Sequence, residues 1–216
     1  LMGSFSFFFS HHMQTMEGGM ILTNDKNLYE LCLSLRAHGW IRDLPKDNTI
    51  VNKTGNPFYD SFNFVVPGYN IRPLEMSGAI GSVQLRKLSS FIDKRRKNAK
   101  IFKELFENEA NIRIQHETQV SSWFGFSLIL TNSLSGQRDN LVDILTKNNI
   151  ECRPIVAGNF TKNPVIKFLD YEVCGDLAVS DEIHQNGFFV GNDFRDLSNE
   201  INWLHGLIKD FEQSIL

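Results

Sequence analysis

The stretch "SFFFSHHMQTMEGGMILTND", Ser6 to Asp25, decides how this chain is read. Apolar alternation in "GSFSFFF" and again in "GGMILT" predicts two short strands, with the polar residues between them forming a loop. His11 and His12 fall on that loop, ahead of a Gly18-Gly19 turn that by itself says little about function. Loop histidines ordinarily do no more than hydrogen-bond to backbone. The pair acquires meaning only from the rest of the chain.

Downstream, Asn24 or Asp25 can cap a helix in which Leu28, Leu31, Cys32 and Leu35 recur at helical spacing, ending near His38-Gly39. From Gly39 to Gly68 the periodicity is lost among Pro, Asn and aromatic residues, which predicts an extended connecting segment; ordered loops of that length are often functional. Pro73 suits the first turn of a helix running through Met76, Ile80, Val83 and Leu88, and a second helix is expected from Phe91 to Asn108. Beyond these, "SSWFGFSLILT", "IECRPIV" and "NGFFVGND" read as strands and "QRDNLVDILTKNN" as a helix. "SNEINWLHGLIKDFEQSI" closes the chain as a helix with Ile201, Leu204, Ile208, Phe211 and Ile215 on one stripe. The C-terminal half is therefore expected to be a small α/β domain.

Bulk properties exclude several function classes. With 216 residues, 42% of them hydrophobic, the chain can bury the core of one large or two small domains. Its 22 Lys and Arg against 25 Asp and Glu leave no cationic excess for nucleic acid, and the run Lys94-Arg95-Arg96-Lys97 reads as a solvated helix face. No window approaches the roughly 18 apolar residues of a membrane span, and the start lacks the flanks of a signal peptide, so a soluble cytoplasmic protein is expected. Cys32, Cys152 and Cys174 are scattered, without a CxxC pair, and read as reduced packing residues rather than metal ligands or disulfide partners. Leu1 opens directly into an apolar run, which reads as a truncated start.

Taken in order, "SFSFFFSHHMQTMEGGMILTND", "LRAHGW", "VPGYNIRPLEMSGAIGSVQLRKL" and "IECRPIVAGNFTKNP" resemble the pyridoxal-phosphate-dependent sugar aminotransferase and dehydratase family (DegT/DnrJ/EryC/StrS type) over nearly the whole chain. The resemblance implies an α/β fold of the aspartate-aminotransferase-like type. Residues 1–70 would end the large cofactor-binding domain and its connecting segment, residues 71–110 would form bridging helices, and residues 111–216 the small α/β domain. Family aminotransferases place a lysine seven residues before the Gly-Gly, where this chain has His11. Members with histidine there are sugar 3-dehydratases, and "HHM", "EGGM" and "AGNFTKNP" are most similar to those that act on GDP-linked 4-keto-6-deoxymannose in dideoxysugar (colitose-type) biosynthesis for lipopolysaccharide O-antigen.

The chemistry gives that exchange its meaning. A lysine amine forms a covalent link with the cofactor aldehyde, whereas imidazole cannot, yet imidazole moves protons near neutral pH. The resemblance therefore implies a lyase using pyridoxal 5'-phosphate and pyridoxamine 5'-phosphate, with L-glutamate as amino donor and His11 as acid-base. His12 is assigned a packing or orienting role. Ser6 matches a serine that contacts the cofactor phosphate, and Asn70 an asparagine that reaches across a homodimer to the partner's phosphate. Arg42 and Arg72 match arginines facing the glutamate carboxylate or the nucleotide sugar, which suits their planar forks; for Arg42 a surface salt bridge is an equal alternative. Arg153, Asn159 and Lys162 are implied to line the nucleotide-sugar pocket. The groups that contact the pyridine ring would precede Leu1, so the chain by itself is not expected to turn over. Two alternatives stand beside this reading: a non-catalytic paralogue serving as a scaffold, and a CDP-sugar 3-dehydratase with an iron–sulfur cluster, for which the three cysteines are unsuited.

Overall fold

The computed structural model of the chain describes residues 2–215, which fall into two compact units, one up to Leu88 and one from Ser89. The first unit opens with the expected hairpin. Strands β1 (Met2–Ser6) and β2 (Gly19–Thr23) pair antiparallel, Met2 opposite Thr23 and Ser6 opposite Gly19. Helix α1 (Lys26–Leu35) follows. Of its two possible caps Asp25 serves, because its carboxylate accepts the otherwise unpaired N–H groups of Asn27 and Leu28 at 2.8 and 3.2 Å.

The segment from Gly39 to Gly68 is more structured than an extended connection. Its Trp40, Ile41 and Leu44, together with Ala37, are the buried apolar side chains of this unit among the described residues. It also contains a one-turn helix, α2 (Pro57–Asp60), which Asn56 caps. Two buried carboxylates shape it, each taking over backbone donors that a loop cannot pair by itself. Glu30 of α1 accepts the N–H and hydroxyl of Thr49, both at 2.7 Å. Asp60 accepts the N–H and hydroxyl of Thr54 at 3.0 and 2.9 Å and the N–H of Gly55 at 3.0 Å. Helix α3 (Glu75–Leu85) begins two residues after Pro73, with Leu74 still extended, and presents no buried residue.

The second unit encloses its own core. It runs through α4 (Leu88–Phe106), β3 (Ile112–Ile114), β4 (Gly125–Leu130), α5 (Arg138–Lys147), β5 (Cys152–Arg153), α6 (Ala178–Asn186), β6 (Gly187–Gly191) and α7 (Ser198–Ile215). The four strands form an antiparallel sheet in the order β3-β4-β6-β5. Phe102 and Phe106 of α4, Leu141 and Leu145 of α5, and the expected α7 stripe from Ile201 to Phe211 pack with Phe126, Leu128, Leu130 and Phe188 of the sheet. At its centre Phe102 stacks on Phe126 with centroids 4.2 Å apart.

Two expectations are corrected here. Arg95 does not lie on a solvated face: it is buried, and its guanidinium donates to the carbonyls of Trp123, Phe124 and Asn192 at 3.3, 3.2 and 2.6 Å. The helical turn in "DKRRKNAK" rotates Arg95 inward with Asn98 and Ala99 while Lys94 and Lys97 stay exposed. Cys174 is exposed and so is no packing residue, unlike the half-buried Cys32 and Cys152. Burial and the neighbouring Glu151 push the Cys152 thiol up to about 11.

At one end of this unit Glu109 accepts from His205 Nε2 at 2.7 Å and from Lys209 Nζ at 2.9 Å. Lys209 also bridges to Glu212 at 2.5 Å. Burial opposes ionisation of Glu109, but the bonds from His205 and Lys209 outweigh it and hold its carboxyl below the ordinary value. A carboxylate whose pKa is lower in the folded state stabilises the fold above the unfolded value of about 4.3, and that contribution is lost as pH falls through the folded value. Thermal unfolding should therefore show Glu109→Gln less stable than wild type at neutral pH, with the gap closing as the medium is acidified below about pH 4. An unchanged gap would show that ionisation of Glu109 is not what stabilises this corner.

Candidate active site

The hairpin loop carries His11 and His12, both half-buried. The strand ladder extends past Ser6, with the N–H of Phe7 donating to Gly18 at 2.9 Å. Thr15 then turns back to donate to Phe7 at 2.9 Å, closing a loop from Phe7 to Thr15 around the histidines. Within it the His11 N–H donates to the carbonyl of Phe8 at 3.0 Å, and the Phe8 ring meets the imidazole edge-on with centroids 6.4 Å apart. Ser6 ends β1 exposed, its Oγ accepting from the N–H of Phe8 at 3.3 Å. There is no lysine from Met2 to Asp25.

A second cluster in the same unit is built by a backbone crossing. A Cβ on Gly68 would lie 2.0 Å from the Gly39 nitrogen, and one on Gly39, whose φ is +83°, would lie 1.7 Å from the Val66 carbonyl oxygen. Only glycine lets the two chains approach this closely. Hydrogen bonds register the crossing on both sides: Tyr69 N–H to Leu35 at 2.7 Å, His38 N–H to Tyr69 at 2.8 Å, Ile71 N–H to Arg36 at 3.0 Å and Val65 N–H to Gly39 at 2.8 Å. Ala37 is thereby paired with Asn70, and Trp40 with Phe64.

The crossing brings Arg42 and Arg72 to one aromatic ring. Their guanidinium carbons lie 3.9 and 5.5 Å from the centroid of Trp40. Trp40 is itself pinned by its indole N–H, which donates to Asp43 at 3.2 Å. Arg42 further donates through Nε and Nη2 to the carbonyl of Ser61 at 3.2 and 3.0 Å. Neither arginine has a carboxylate partner among the described residues, and the exposed Asn70 carboxamide makes no hydrogen bond among them. Trp40 was not among the candidates from sequence. The available signal was an aromatic residue two positions before Arg42, readable only once Arg72 was known to lie beside it.

Arg153, Asn159 and Lys162 belong to the other unit. Arg153 lies 3.7 Å from the Glu151 carboxylate, with its guanidinium 5.6 Å from the Phe189 ring centroid. Asn159 is buried and already engaged. Its amide donates to Asp181 at 2.8 Å, and its carbonyl accepts the N–H and hydroxyl of Thr161 at 3.0 and 2.6 Å. Lys162 bridges to the same Asp181 at 2.5 Å, and these two partners lower the Asp181 pKa. A cleft of about 510 Å³ in this unit, between α4 and β3, is lined by residues such as Lys103, Arg113 and His116 and by none of the candidates.

The model of the DegT/DnrJ/EryC1/StrS aminotransferase family matches residues 1–192. The chain belongs to that family. It is 56% identical over 211 residues to the GDP-4-keto-6-deoxy-D-mannose 3-dehydratase of Yersinia pseudotuberculosis, covering 97% of this chain and 54% of that protein. The structure is similar to that of the E. coli GDP-4-keto-6-deoxy-D-mannose-3-dehydratase with bound hydrated PLP, with TM-score 0.93 and 50% identity across 96% of this chain and 54% of that one. It is equally similar to GDP-4-keto-6-deoxymannose-3-dehydratase with a trapped PLP-glutamate geminal diamine, with TM-score 0.93 and 49% identity over the same shares. The chain thus spans about half the length of the relatives it matches.

If the glycine crossing builds this cluster, Gly68→Ala should destabilise the protein by about 1–3 kcal/mol, as overpacking against backbone does. Gly78→Ala, at a position with nothing within 4 Å in the exposed face of α3, should instead stabilise it by up to about 1 kcal/mol. Urea-unfolding midpoints of the two variants check this. Equal midpoints would mean that the crossing yields easily.

Proposed function

We propose that the protein is a nucleotide-sugar 3-dehydratase, a lyase that removes the 3-hydroxyl of GDP-linked 4-keto-6-deoxymannose with pyridoxal 5'-phosphate as cofactor and L-glutamate as amino donor. The observation that carries the reading is an imidazole, His11, on the hairpin loop where the family's aminotransferases need an amine, in a stretch that contains no lysine. The relatives support it by their names, and the solved ones by the PLP and glutamate they hold.

The residues present fit the cofactor's phosphate. The Ser6 hydroxyl is exposed and its hydrogen has no acceptor among the described residues, while the Asn70 carboxamide is exposed and uncommitted. Both are donors of the kind that hold phosphate oxygens. When bound in its amine form, the cofactor supplies a nitrogen to condense with the 4-keto group and a ring that accepts electron density, which lets the 3-hydroxyl leave. His11 takes and returns a proton at an imidazole nitrogen. Because imidazole cannot link covalently to an aldehyde, retention falls to the hydrogen-bonding residues. Arg42 and Arg72, lacking carboxylate partners, bind the anionic groups of glutamate and the nucleotide sugar. Asn70 serves the partner's site in a homodimer. No helix among the described residues is long and apolar enough to cross a membrane; a cytoplasmic location is part of this reading, because a charged nucleotide sugar does not cross a membrane unaided.

Loss of a positioned acid-base costs about 10²- to 10⁴-fold in rate. In the whole protein His11→Ala should lower 3-dehydration by that range. His11→Lys should do likewise and, unlike His11→Ala, become covalently labelled at that position when the cofactor-loaded protein is treated with borohydride and its peptides are weighed. Wild-type rates in His11→Ala combined with loss in His12→Ala would transfer the role to His12. For the shared site, mixing inactive His11→Ala with inactive Asn70→Ala subunits should restore activity through one intact site per mixed dimer. Mixtures that stay inactive would remove the basis for the intersubunit role.

A further inference from the structure

Thr15 is buried, with 3% of its surface exposed, and it is the one buried residue from Met2 to Thr23. A buried hydroxyl requires a partner, and every polar group of Thr15 has one. Oγ1 donates to the carbonyl of Glu17 at 2.8 Å, the N–H donates to Phe7 at 2.9 Å, and the carbonyl accepts a long bond from Ser77 Oγ of α3 at 3.5 Å. Thr15 therefore ties the two ends of the histidine loop, Phe7 and Glu17, to each other and to a helix.

The methyl group is placed as specifically as the hydroxyl. Cγ2 lies 3.2 Å from the point a Cβ would occupy on Gly81 of α3, so the missing side chain of Gly81 is what admits the threonine. Serine would lack the methyl that fills this notch, and valine the hydroxyl that donates to the Glu17 carbonyl. No other residue type has both substituents on a β-carbon, which also stiffens the side chain. His11 lies within the segment that the Thr15–Phe7 bond closes, so its place relative to α3 is set through Thr15.

We propose that Thr15, seated on Gly81 of α3, is a positioning residue for the acid-base His11, an inference that rests on the dehydratase reading. Misplacing a catalytic group by about 1 Å can cost as much as 10²-fold. Gly81→Ala is the informative variant. Alanine favours a helix interior over glycine, so the thermal midpoint should hold or rise, yet the new Cβ displaces the Thr15 methyl. The methyl has to give by only a few tenths of an ångström, so in the whole protein kcat for 3-dehydration should fall about 3- to 10-fold with KM for the nucleotide sugar unchanged. Adding Thr15→Ser removes the methyl that the new Cβ meets, so the Thr15→Ser/Gly81→Ala protein should recover most of the lost rate. Thr15→Val, which keeps the shape and removes the donor, should lose rate without recovery.

Amide hydrogen exchange of the loop peptide in cofactor-free protein reads the same anchor without catalysis. It should quicken in Thr15→Val and Gly81→Ala and slow again in the double variant. Wild-type kcat and exchange in Gly81→Ala, or a double variant no better than the single one, would overturn the proposal. If wild-type protein shows no dehydration while exchange follows the expected pattern, the functional reading falls and the loop anchor stands.

Discussion

At Gly39 and Gly68 two stretches of backbone pass with no room for a β-carbon on either, and most of what matters in the first unit depends on that contact. Steric exclusion is a stiff constraint: unlike a salt bridge, it does not weaken with salt or reorient. It sets the register in which Ala37 faces Asn70 and Trp40 faces Phe64. That register in turn brings Arg42, from one side of the crossing, and Arg72, from the other, to the same indole ring. A cluster of residues 30 positions apart in sequence is thus a consequence of two hydrogen atoms standing where side chains would be.

The two units are held together by different physics. In the second, apolar burial dominates, with aromatic and branched side chains from three helices closing over one face of an antiparallel sheet. In the first, few apolar side chains are buried, while Met20, Ile21 and Leu22 of the hairpin and Met76, Val83 and Leu85 of α3 remain exposed. There the path of the chain is specified by directional contacts: Asp25 on α1, Glu30 on Thr49, Asp60 on Thr54 and Gly55, and Thr15 on its own loop. Hydrogen bonds of this kind contribute modestly to net stability, but they are costly to leave unmade, and so they favour one path over its alternatives.

Legibility in the sequence followed the same division. Periodicity located the hairpin, α1, α5 and α7, because each has an apolar pattern long enough to be distinctive. It missed β3, whose three residues cannot show alternation, and α6, whose "AVSDEIHQN" carries too few apolar positions for a stripe. The run at Arg95 was misjudged because a charge pattern does not show that three backbone carbonyls await a guanidinium. His11 stood out only by its distance from Gly18, a relation local in sequence. Thr15, Gly81 and Trp40 went unnoticed because the contacts that mark them, Thr15 with Gly81 and Trp40 with Arg72, join residues far apart in sequence, and nothing local distinguishes a glycine that admits a methyl group from one that merely turns the chain.

The distribution of charge separates structural cations from those at the candidate site. In the second unit Arg113 is paired with Glu182, Lys162 with Asp181, Lys209 with Glu109 and Glu212, and Arg195 with Asp193. Arg42 and Arg72 are treated otherwise, resting against an aromatic face instead of a carboxylate. A carboxylate occupies the N–H edge of a guanidinium and cancels its charge; a ring contacts the flat face, leaves the charge in place and leaves N–H groups free to donate. Stacking is therefore a way to fix a cation in position while keeping it available. Elsewhere in the same unit the Asn70 carboxamide and the Ser6 hydroxyl are exposed neutral donors. His11 lies in the same unit, and its imidazole differs from a lysine amine in that it can exchange a proton but cannot form a lasting link to a carbonyl.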